Sequence, residues 1–421
     1  MTLPRRDLLR LSGLTALGAS LPARPALAGD TQVPPAIAAL ANGTQDAAPI
    51  SADERRGRLA RAQELMAAND LDALIVGPGT SLVYFSGVRW AGAERLFCMV
   101  LTREGDPAWV TPGFERQRAE ERIEFGGDIR AWQEHESPYG VVAGILKDRG
   151  ASARVGLEER LDFVFADGIS QASPSSRITS GTPVTAGCRM LKDAHELALM
   201  RHANELTVRA WRAVFASLEE GMTREHVAGL CREALSRQGV VGGALVLFGA
   251  DAAFPHGTDN PQPLKAGDVV LIDGGCKVHD YASDITRTGV FGAPPTVRQR
   301  RVWEVVREAQ KAAFEVARPG VECQALDAAA RRVVDEAGFG PEYTHFTHRV
   351  GHGIGMDGHE WTYLVRGNAT KLQPGMCFSD EPGIYIYGEM GVRHEDIIFI
   401  TEDGAENMTK WSGTPEEPAV V

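Results

Sequence analysis

The sequence lacks closely spaced cysteine pairs and lacks an excess of basic residues, and both absences restrict what the protein can be. Its six cysteines are scattered, none forms a CxxC pair, and most stand in apolar runs. Their spacing defines no disulfide framework, so we expect free, buried thiols. The formal net charge is −12, and an acidic surface argues against nucleic acid or an anionic membrane as a partner.

Long apolar stretches are also scarce, because beyond the first 28 residues none is long enough to span a bilayer. The start of the chain has the pattern of an export signal instead. Arg5 and Arg6 form a twin-arginine start, an apolar small-residue stretch follows from 11 to 21, and Ala26-Leu27-Ala28 matches a cleavage site. We predict a signal peptide at 1–28 and export to the periplasm by the twin-arginine route. An amphipathic N-terminal helix is the alternative.

The rest of the chain predicts two domains joined to the signal by a linker. Residues 29–50 are rich in Ala, Pro, Thr and Gln, which is typical of a linker. In 51–190 strands alternate with helices, which predicts an α/β domain. In 191–421 two helices and a group of strands occur twice in the same order, which suggests an internal duplication around a central site. A capping box at Asp193 and Glu196 marks the first of these helices.

Two aspartates in the first duplicated half are candidate metal ligands. Asp273 and Asp284 are eleven residues apart and flank a turn at 277–280. A hairpin would bring them face to face, so both could reach one metal ion. Taken alone, the pair fits a surface turn equally well, because Asp-Gly is also a turn signal.

Three residues of the second half complete a candidate ligand set. His352 stands in a Gly-rich stretch that we expect to be a loop, and Glu381 and Glu395 stand within apolar strands. A buried glutamate without a partner costs several kcal/mol, so the two glutamates require a metal or an arginine. Four carboxylates and one imidazole form the ligand set of two hard divalent cations. Oxygen-rich ligation favours manganese, magnesium or iron over a structural zinc site, and two such ions activate water in hydrolases.

These motifs resemble those of the pita-bread metallopeptidases, in the Xaa-Pro aminopeptidase and prolidase branch, with methionine aminopeptidase and creatinase as relatives. The resemblance covers the second domain nearly end to end and the first more loosely, through 83–87 and 189–192. The matching stretches of the second domain are 254–256, 270–275, 281–288, 351–355, 359–360, 374–376, 381–385 and 391–396.

The resemblance implies a creatinase-like α/β domain followed by a pita-bread α+β catalytic domain with pseudo-twofold halves. It implies a hydrolase that cleaves the bond between an N-terminal residue and proline in a small peptide, and a homodimer or larger homo-oligomer. Carried over by position, Asp273 would hold one metal ion, Asp284 and Glu395 would bridge both ions, and His352 and Glu381 would complete the ligand set of the second ion. We expect two divalent ions, manganese first, with iron, cobalt or zinc as the alternatives.

The resemblance also implies roles for the residues around the metal ions. Glu381 would carry the proton from water to the leaving nitrogen, and His359 would stabilise the oxyanion. His256 and His348 would position the substrate, and Arg393 would orient a bridging carboxylate.

The chain departs from the family pattern at two positions. Thr362 stands where proline is common, which leaves specificity open, and His394 replaces an aliphatic residue beside a ligand. Trp361 and Trp90 are candidates for an apolar wall against a proline ring. Two alternatives remain: a hydrolase or lyase of a non-peptide small molecule on the same fold, and a metal-free binding module.

The signal generates the first testable prediction. Arg5→Lys with Arg6→Lys should block export and leave the precursor in the cytoplasm, because the twin-arginine route reads that pair. Cell fractionation and immunoblotting measure the precursor, with Arg10→Lys as the matched control that should export normally. Export of the double variant at the wild-type rate would show that another route is used.

Overall fold

The computed structural model describes residues 33–420, so the predicted signal peptide at 1–28 lies outside the described residues. Residues 35–50 of the predicted linker pack against the catalytic domain. They include a short helix, α1 (Pro35–Ala38), whose Ile37 is buried, and the Gly43 N–H donates to the Gln238 carbonyl at 3.1 Å. This segment is therefore a bound arm, which differs from the loose connection that its composition indicated.

The N-terminal domain is a six-stranded mixed sheet with helices, as the alternating pattern predicted. Its sheet has the order β4-β3-β2-β1-β5-β6. The pairs β1–β2 and β2–β3 are antiparallel, and β1–β5, β3–β4 and β5–β6 are parallel. The strands are β1 (Ala73–Val76), β2 (Cys98–Thr102), β3 (Ala108–Pro112), β4 (Ile129–Trp132), β5 (Arg154–Leu157) and β6 (Arg177–Ser180).

The helices of this domain begin with α2, where Ser51 and Glu54 form a capping box. That box satisfies two backbone N–H groups that a helix start would otherwise leave without partners. The helices are α2 (Ala52–Ala68), α3 (Thr80–Ser86), α4 (Arg116–Arg122), α5 (Pro138–Asp148), α6 (Phe163–Ala172) and α7 (Thr182–Arg189).

The catalytic domain repeats the order of two helices followed by strands, which confirms the predicted arrangement. Helix α8 begins at the predicted capping box of Asp193 and Glu196, and α9 begins at Thr223. The first half contains α8 (Ala194–Phe215), α9 (Arg224–Arg237), β7 (Val241–Phe248), β8 (Val269–Val278), β9 (Tyr281–Ala282) and β10 (Ile285–Val290). The second contains α10 (Val297–Val316), α11 (Cys323–Glu336), β11 (Gly351–Gly353), β12 (Glu360–Leu364), β13 (Cys377–Asp380), β14 (Gly383–Ile386), β15 (Met390–Arg393), β16 (Asp396–Ile400) and β17 (Ala405–Asn407).

Each half contributes its own sheet to the catalytic domain. The first sheet has the order β10-β8-β7 with β9 beside β8, the second has the order β12-β11-β13-β16-β17, and β14 pairs with β15. The main core of this domain packs α10 and α11 against the second sheet, through residues such as Val306, Phe378 and Ile398. All six cysteines are free and buried, as expected. None of the helices between residues 33 and 420 is long and apolar enough to cross a membrane.

Strand β8 continues through Gly274 and Gly275 as far as Val278. A Cβ atom added at Gly275 would lie 2.0 Å from the Ser283 carbonyl oxygen. Gly274 has a φ of +148°, a backbone conformation that residues with a side chain rarely adopt. The glycines are therefore required for close backbone approach. Asp273 lies in the middle of β8 as a result.

Buried ion pairs join the two domains. Glu360 accepts from Arg189 and from Lys192 Nζ, the latter at 3.0 Å, and all three side chains are buried. Arg189 also binds Asp357 at 2.7 Å. The two cations hold the pKa of Glu360 at about 2, although burial alone would raise it. This interface places the N-terminal domain directly beside residues 357–360 of the catalytic domain.

The interface generates a stability prediction. Glu360→Gln should lower the free energy of unfolding by about 3 kcal/mol, which is the lower end of the range for breaking a buried ion pair. The loss is at the lower end because Arg189 retains its ion pair with Asp357. Urea denaturation measures the loss. Glu406→Gln removes an exposed pair with Arg201 and should cost less than about 1 kcal/mol.

The same variant should also change how the free energy of unfolding depends on pH in the acid range. Because the folded-state pKa of Glu360 lies below the ordinary value of 4.5, its contribution is present above that value and is lost as pH falls towards 2. The stability difference between wild type and Glu360→Gln should therefore shrink across that window. A difference that stays constant would contradict this account of the interface.

Candidate metal centre and active site

The five predicted metal ligands come from five separate positions on the two sheets, and the fold brings them together. Asp273 lies within β8, Asp284 between β9 and β10, His352 in β11, Glu381 directly after β13 and Glu395 directly before β16. Both glutamates thus stand at strand ends rather than inside strands. The first half supplies the two aspartates and the second half supplies the other three residues.

Ligand atoms of these residues form overlapping groups in which all atoms lie within 4.8 Å of one another. Asp273, Asp284 and Glu395 form one group, and His352, Glu381 and Glu395 form another. A third group contains Asp284, His352 and His359. Asp284, His352 and Glu395 each belong to two groups, and Glu395 joins the two groups that contain only predicted ligands, as expected of a residue that would be shared between two ions.

Close backbone packing places His352 at the centre of the site. Residues 351–353 form strand β11, so the expectation of a loop was wrong there. The reason is again glycine: a Cβ at Gly351 would lie 1.9 Å from the Ser379 carbonyl oxygen, so only glycine lets β11 pack there. The His352 N–H donates to Ser379 Oγ at 3.0 Å, and its Nε2 lies 3.2 Å from Glu381 Oε1.

The cluster raises the pKa values of two of its four carboxylates and lowers those of the other two. Burial and the charge of Asp273 raise the pKa of Asp284 to about 7. Burial and the charge of Asp284 raise the pKa of Glu395 well above its usual range. The pKa of Glu381 is lowered to about 2, because hydrogen bonding and charge from His352 outweigh burial. Four carboxylates therefore compete for positive charge in one place.

Arg393 and Thr286 hold the first of these carboxylates. Burial raises the pKa of Asp273, but the Arg393 guanidinium, whose Nη2 contacts Asp273 Oδ2, outweighs it and the pKa falls below the ordinary value. Thr286 Oγ1 lies 2.7 Å from Asp273 Oδ1 and 2.7 Å from Glu395 Oε2. Since the hydroxyl has one hydrogen, it donates to one of them at a time. Sequence reasoning missed Thr286, although it stands two residues after Asp284.

Tyr385 is a second residue that sequence reasoning did not assign to the site. Its buried hydroxyl accepts from Arg393 Nη1 at 2.8 Å and lies 2.8 Å from His348 Nε2. His348 Nδ1 lies 2.8 Å from the Arg349 carbonyl oxygen. Because a carbonyl only accepts, Nδ1 carries the hydrogen, and Nε2 accepts from Tyr385. Burial lowers the pKa of His348, which agrees with a neutral ring whose two nitrogens are both bonded.

His359 stacks on His352 with a ring distance of 3.7 Å, and it is the imidazole best placed to act on a substrate. Burial and the neighbouring His352 lower its pKa to about 4, and His256 is close enough to contribute to that shift. Arg349 Nη2 lies 3.3 Å from His359 Nδ1. Because a guanidinium only donates, His359 Nδ1 accepts this hydrogen bond. In the neutral ring the hydrogen is then on Nε2, which can donate to another group. His256 itself is exposed to solvent.

The remaining residues singled out in the sequence have distinct surroundings. Trp361 is 52 % exposed and packs edge-on against Tyr363 at the lip of the site. Thr362 is buried and accepts from Asn368 at 2.9 Å. His394 is buried away from the ligands, with its ring edge-on to Trp303 and its pKa lowered to about 3, mainly by burial. Trp90 stacks on Phe97 and lines the cleft between the domains.

Comparison with known proteins agrees with this geometry. Residues 198–402 match the description "Metallopeptidase family M24", and residues 58–191 match "Creatinase/Prolidase N-terminal domain". A probable dipeptidase, PepE, of Mycobacterium tuberculosis is 37% identical over 373 residues, which cover 86% of this chain and 96% of that protein. The chain belongs to metallopeptidase family M24. Members of this family use divalent metal ions.

Other M24 relatives and solved structures extend the likeness. The Xaa-Pro dipeptidase of Lactobacillus delbrueckii subsp. lactis is 33% identical, covering 84% of this chain and 97% of that protein. The crystal structure of dipeptidase PepE from Mycobacterium ulcerans superimposes with a TM-score of 0.81 at 32% identity, covering 88% and 99% of the two chains. The prolidase from Pyrococcus furiosus gives 0.70 at 29% identity, covering 83% and 99%. These neighbours confirm the pita-bread fold of this metallopeptidase.

The network around Tyr385 generates a prediction for activity. Tyr385→Phe removes the hydroxyl that joins Arg393 to His348, and a hydrogen bond to a charged group is worth about 1.5–3 kcal/mol, so kcat/KM should fall roughly tenfold to a hundredfold. Steady-state peptide hydrolysis measures the change. Tyr387→Phe is the matched control, because the Tyr387 side chain is 63 % exposed. Equal activity of both variants would show that the Tyr385 hydroxyl does not contribute to activity.

Proposed function

We propose that this chain is a dinuclear metal-dependent peptidase that hydrolyses the Xaa-Pro bond, with dipeptides as its main substrates. The observation that carries the proposal is the cluster of four carboxylates and His352, adjoined by the neutral imidazole of His359. The relatives support it, because several are named Xaa-Pro dipeptidase or prolidase. Dipeptides are favoured over longer peptides because most of the names specify a dipeptidase.

The residues present fit two divalent ions. The four carboxylates carry four negative charges, and Arg393 supplies one positive charge at Asp273, so a single dication would leave the cluster negative. Burial, together with this surplus, raises the pKa values of Asp284 and Glu395. Asp273, Asp284, His352, Glu381 and Glu395 would hold the ions, and oxygen-rich ligation favours manganese. When bound, the ions would polarise the scissile carbonyl and lower the pKa of a water molecule.

Side chains of the protein would transfer the proton and stabilise the negative charge that develops on the substrate. The water oxygen bonds to the scissile carbonyl carbon while Glu381 accepts a water proton, and that proton passes to the proline nitrogen as the C–N bond breaks. His359 Nε2–H would donate to the oxygen that gains negative charge. Arg393 and Thr286 keep Asp273 in place, and Tyr385 with His348 keeps Arg393 in place.

Selection for proline would depend on shape. The nitrogen of an Xaa-Pro bond has no hydrogen, so a site selects proline by packing its ring rather than by accepting a hydrogen bond. Trp361, exposed at the lip and directly after Glu360, offers an apolar wall for such a ring. The main alternative function is hydrolysis of another small amide by the same centre, because Thr362 stands where relatives commonly have proline.

One experiment tests metal and substrate together. Wild-type protein is stripped with a chelator, reloaded with manganese, and assayed on Xaa-Pro dipeptides, Xaa-Ala dipeptides and longer Xaa-Pro peptides. We expect close to two ions per chain by elemental analysis, activity only after reloading, and at least about tenfold higher kcat/KM on Xaa-Pro than on Xaa-Ala. Trp361→Ala should reduce that ratio.

A matched pair of variants serves as the control. Glu395→Gln alters a predicted ligand and should lose both metal and activity, whereas Glu406→Gln alters an exposed glutamate and should lose neither. Equal kcat/KM on Xaa-Pro and Xaa-Ala in the wild type would favour the alternative hydrolase. Full activity after exhaustive removal of metal would refute the dinuclear mechanism.

A further inference from the structure

Strand β13 carries a buried hydroxyl that lies between two of the predicted ligands. Ser379 has no solvent exposure and stands two residues before Glu381. Its Oγ lies 3.1 Å from Glu381 Oε1 and 3.0 Å from the backbone nitrogen of His352. The hydroxyl therefore joins the ligand of β11 to the ligand that follows β13.

The direction of these two hydrogen bonds follows from the chemistry of the groups. The backbone nitrogen of His352 can only donate, so Ser379 Oγ accepts there and its own hydrogen is free. A glutamate that binds a metal ion is ionised, and an ionised carboxylate only accepts. Ser379 therefore donates to Glu381 Oε1. Thr286 divides its one hydrogen between two carboxylates, whereas Ser379 serves a single carboxylate.

The backbone around this hydroxyl leaves it little freedom to move. Strand β13 lies between β11 and β16 in the second sheet, and Ser379 pairs with Ile397 of β16. The Glu381 N–H donates to the Val350 carbonyl at 2.8 Å, directly before β11. The backbone of Glu381 is thus bonded to the start of β11, and its side chain is bonded to Ser379.

The two carboxylate oxygens of Glu381 have different surroundings. Oε1, which accepts from Ser379, lies 3.2 Å from His352 Nε2. Oε2 lies 4.0 Å from His348 Nδ1, which is beyond hydrogen-bond distance. His352 Nδ1 lies 3.1 Å from the Gly353 carbonyl oxygen, so in the neutral imidazole that binds a metal ion the hydrogen is on Nδ1 and Nε2 offers its lone pair. One oxygen of Glu381 thus lies beside the ligating nitrogen of His352, and the other is directed towards His348.

We propose that Ser379 is a positioning residue, whose hydroxyl holds Glu381 Oε1 beside His352 Nε2 and leaves Oε2 to accept the proton. This assignment rests on the proposed dinuclear function. Ser379 would do for the second ion what Thr286 does at Asp273 for the first. Without the hydroxyl the Glu381 side chain can rotate, so the second ion should bind less tightly while the first is unaffected.

A manganese titration of protein stripped with a chelator tests this assignment. Binding is followed by competition with a fluorescent chelator, and the wild type should show two steps. Ser379→Ala should weaken one step roughly tenfold to a hundredfold, the usual effect of removing a hydrogen bond to a ligand, and leave the other step unchanged. Ser379→Thr keeps the hydroxyl and should restore the affinity. Ser217→Ala is the matched control, because it removes a buried hydroxyl that donates to the Ala213 carbonyl at the end of α8, and it should bind manganese as the wild type does.

Hydrolysis of an Xaa-Pro dipeptide at saturating manganese is the second readout. In Ser379→Ala, kcat should fall about tenfold with little change in KM, because the hydroxyl orients a proton acceptor and does not contact the substrate. If Ser379→Ala does not fold, Ser379→Cys takes its place, since a thiol is only a weak donor.

The outcomes separate this assignment from the function on which it rests. A lower Tm in Ser379→Ala with wild-type manganese affinities and kcat would show that the hydroxyl only supports strand packing, and would overturn the proposal. Equal weakening of both manganese steps would also overturn it, because a general distortion would then explain the loss. Two steps in a wild type that does not prefer Xaa-Pro would contradict the substrate alone, since the titration uses no substrate. A wild type that binds fewer than two ions would overturn the dinuclear centre and this assignment together.

Discussion

The fold of the catalytic domain is organised around the repulsion among four carboxylates that it holds in one place. Left alone, such charges would move apart or take up protons, as the raised pKa values of Asp284 and Glu395 indicate. The strands prevent movement because Asp273 is fixed inside β8 and the two glutamates are fixed at strand ends. Arg393 offsets only one of the four charges. The remaining surplus is the charge that the proposed divalent ions would offset, and the scaffold supplies the rigidity that a loose cluster would lack.

Close backbone packing is what makes this crowding achievable. A side chain at Gly275 or at Gly351 would overlap a neighbouring carbonyl oxygen, so these strands could not approach as they do with any other residue. The approach brings the aspartates of one half within reach of His352 in the other. Glycine, which in most strands weakens the structure, is here a condition for building the site from two halves.

Sequence reasoning identified the five residues that the fold brings together, but not the hydrogen bonds around them. Asp273, Asp284 and His352 stand in motifs with recognisable spacing, and the two helix–helix–strand groups follow from capping signals such as Asp193 with Glu196. In contrast, the strand at 351–353 was expected to be a loop, because glycine usually interrupts regular structure. The role of Tyr385 depends on its hydroxyl, which joins Arg393 to His348. Contacts between residues that are distant in sequence leave no local pattern by which to predict them.

The N-terminal domain contributes none of the predicted metal ligands, yet it is joined to the site through one buried carboxylate. Glu360 lies between His359 and Trp361, and Arg189 from the N-terminal domain together with Lys192 holds it. Because neighbouring residues share a backbone, a shift of that domain would displace both the imidazole that faces the metal centre and the indole at the lip. Two buried cations on one carboxylate make such a shift costly. The α/β domain therefore helps to fix the position of residues 359–361, and in the proposed function the geometry around the substrate would depend on how the two domains are joined.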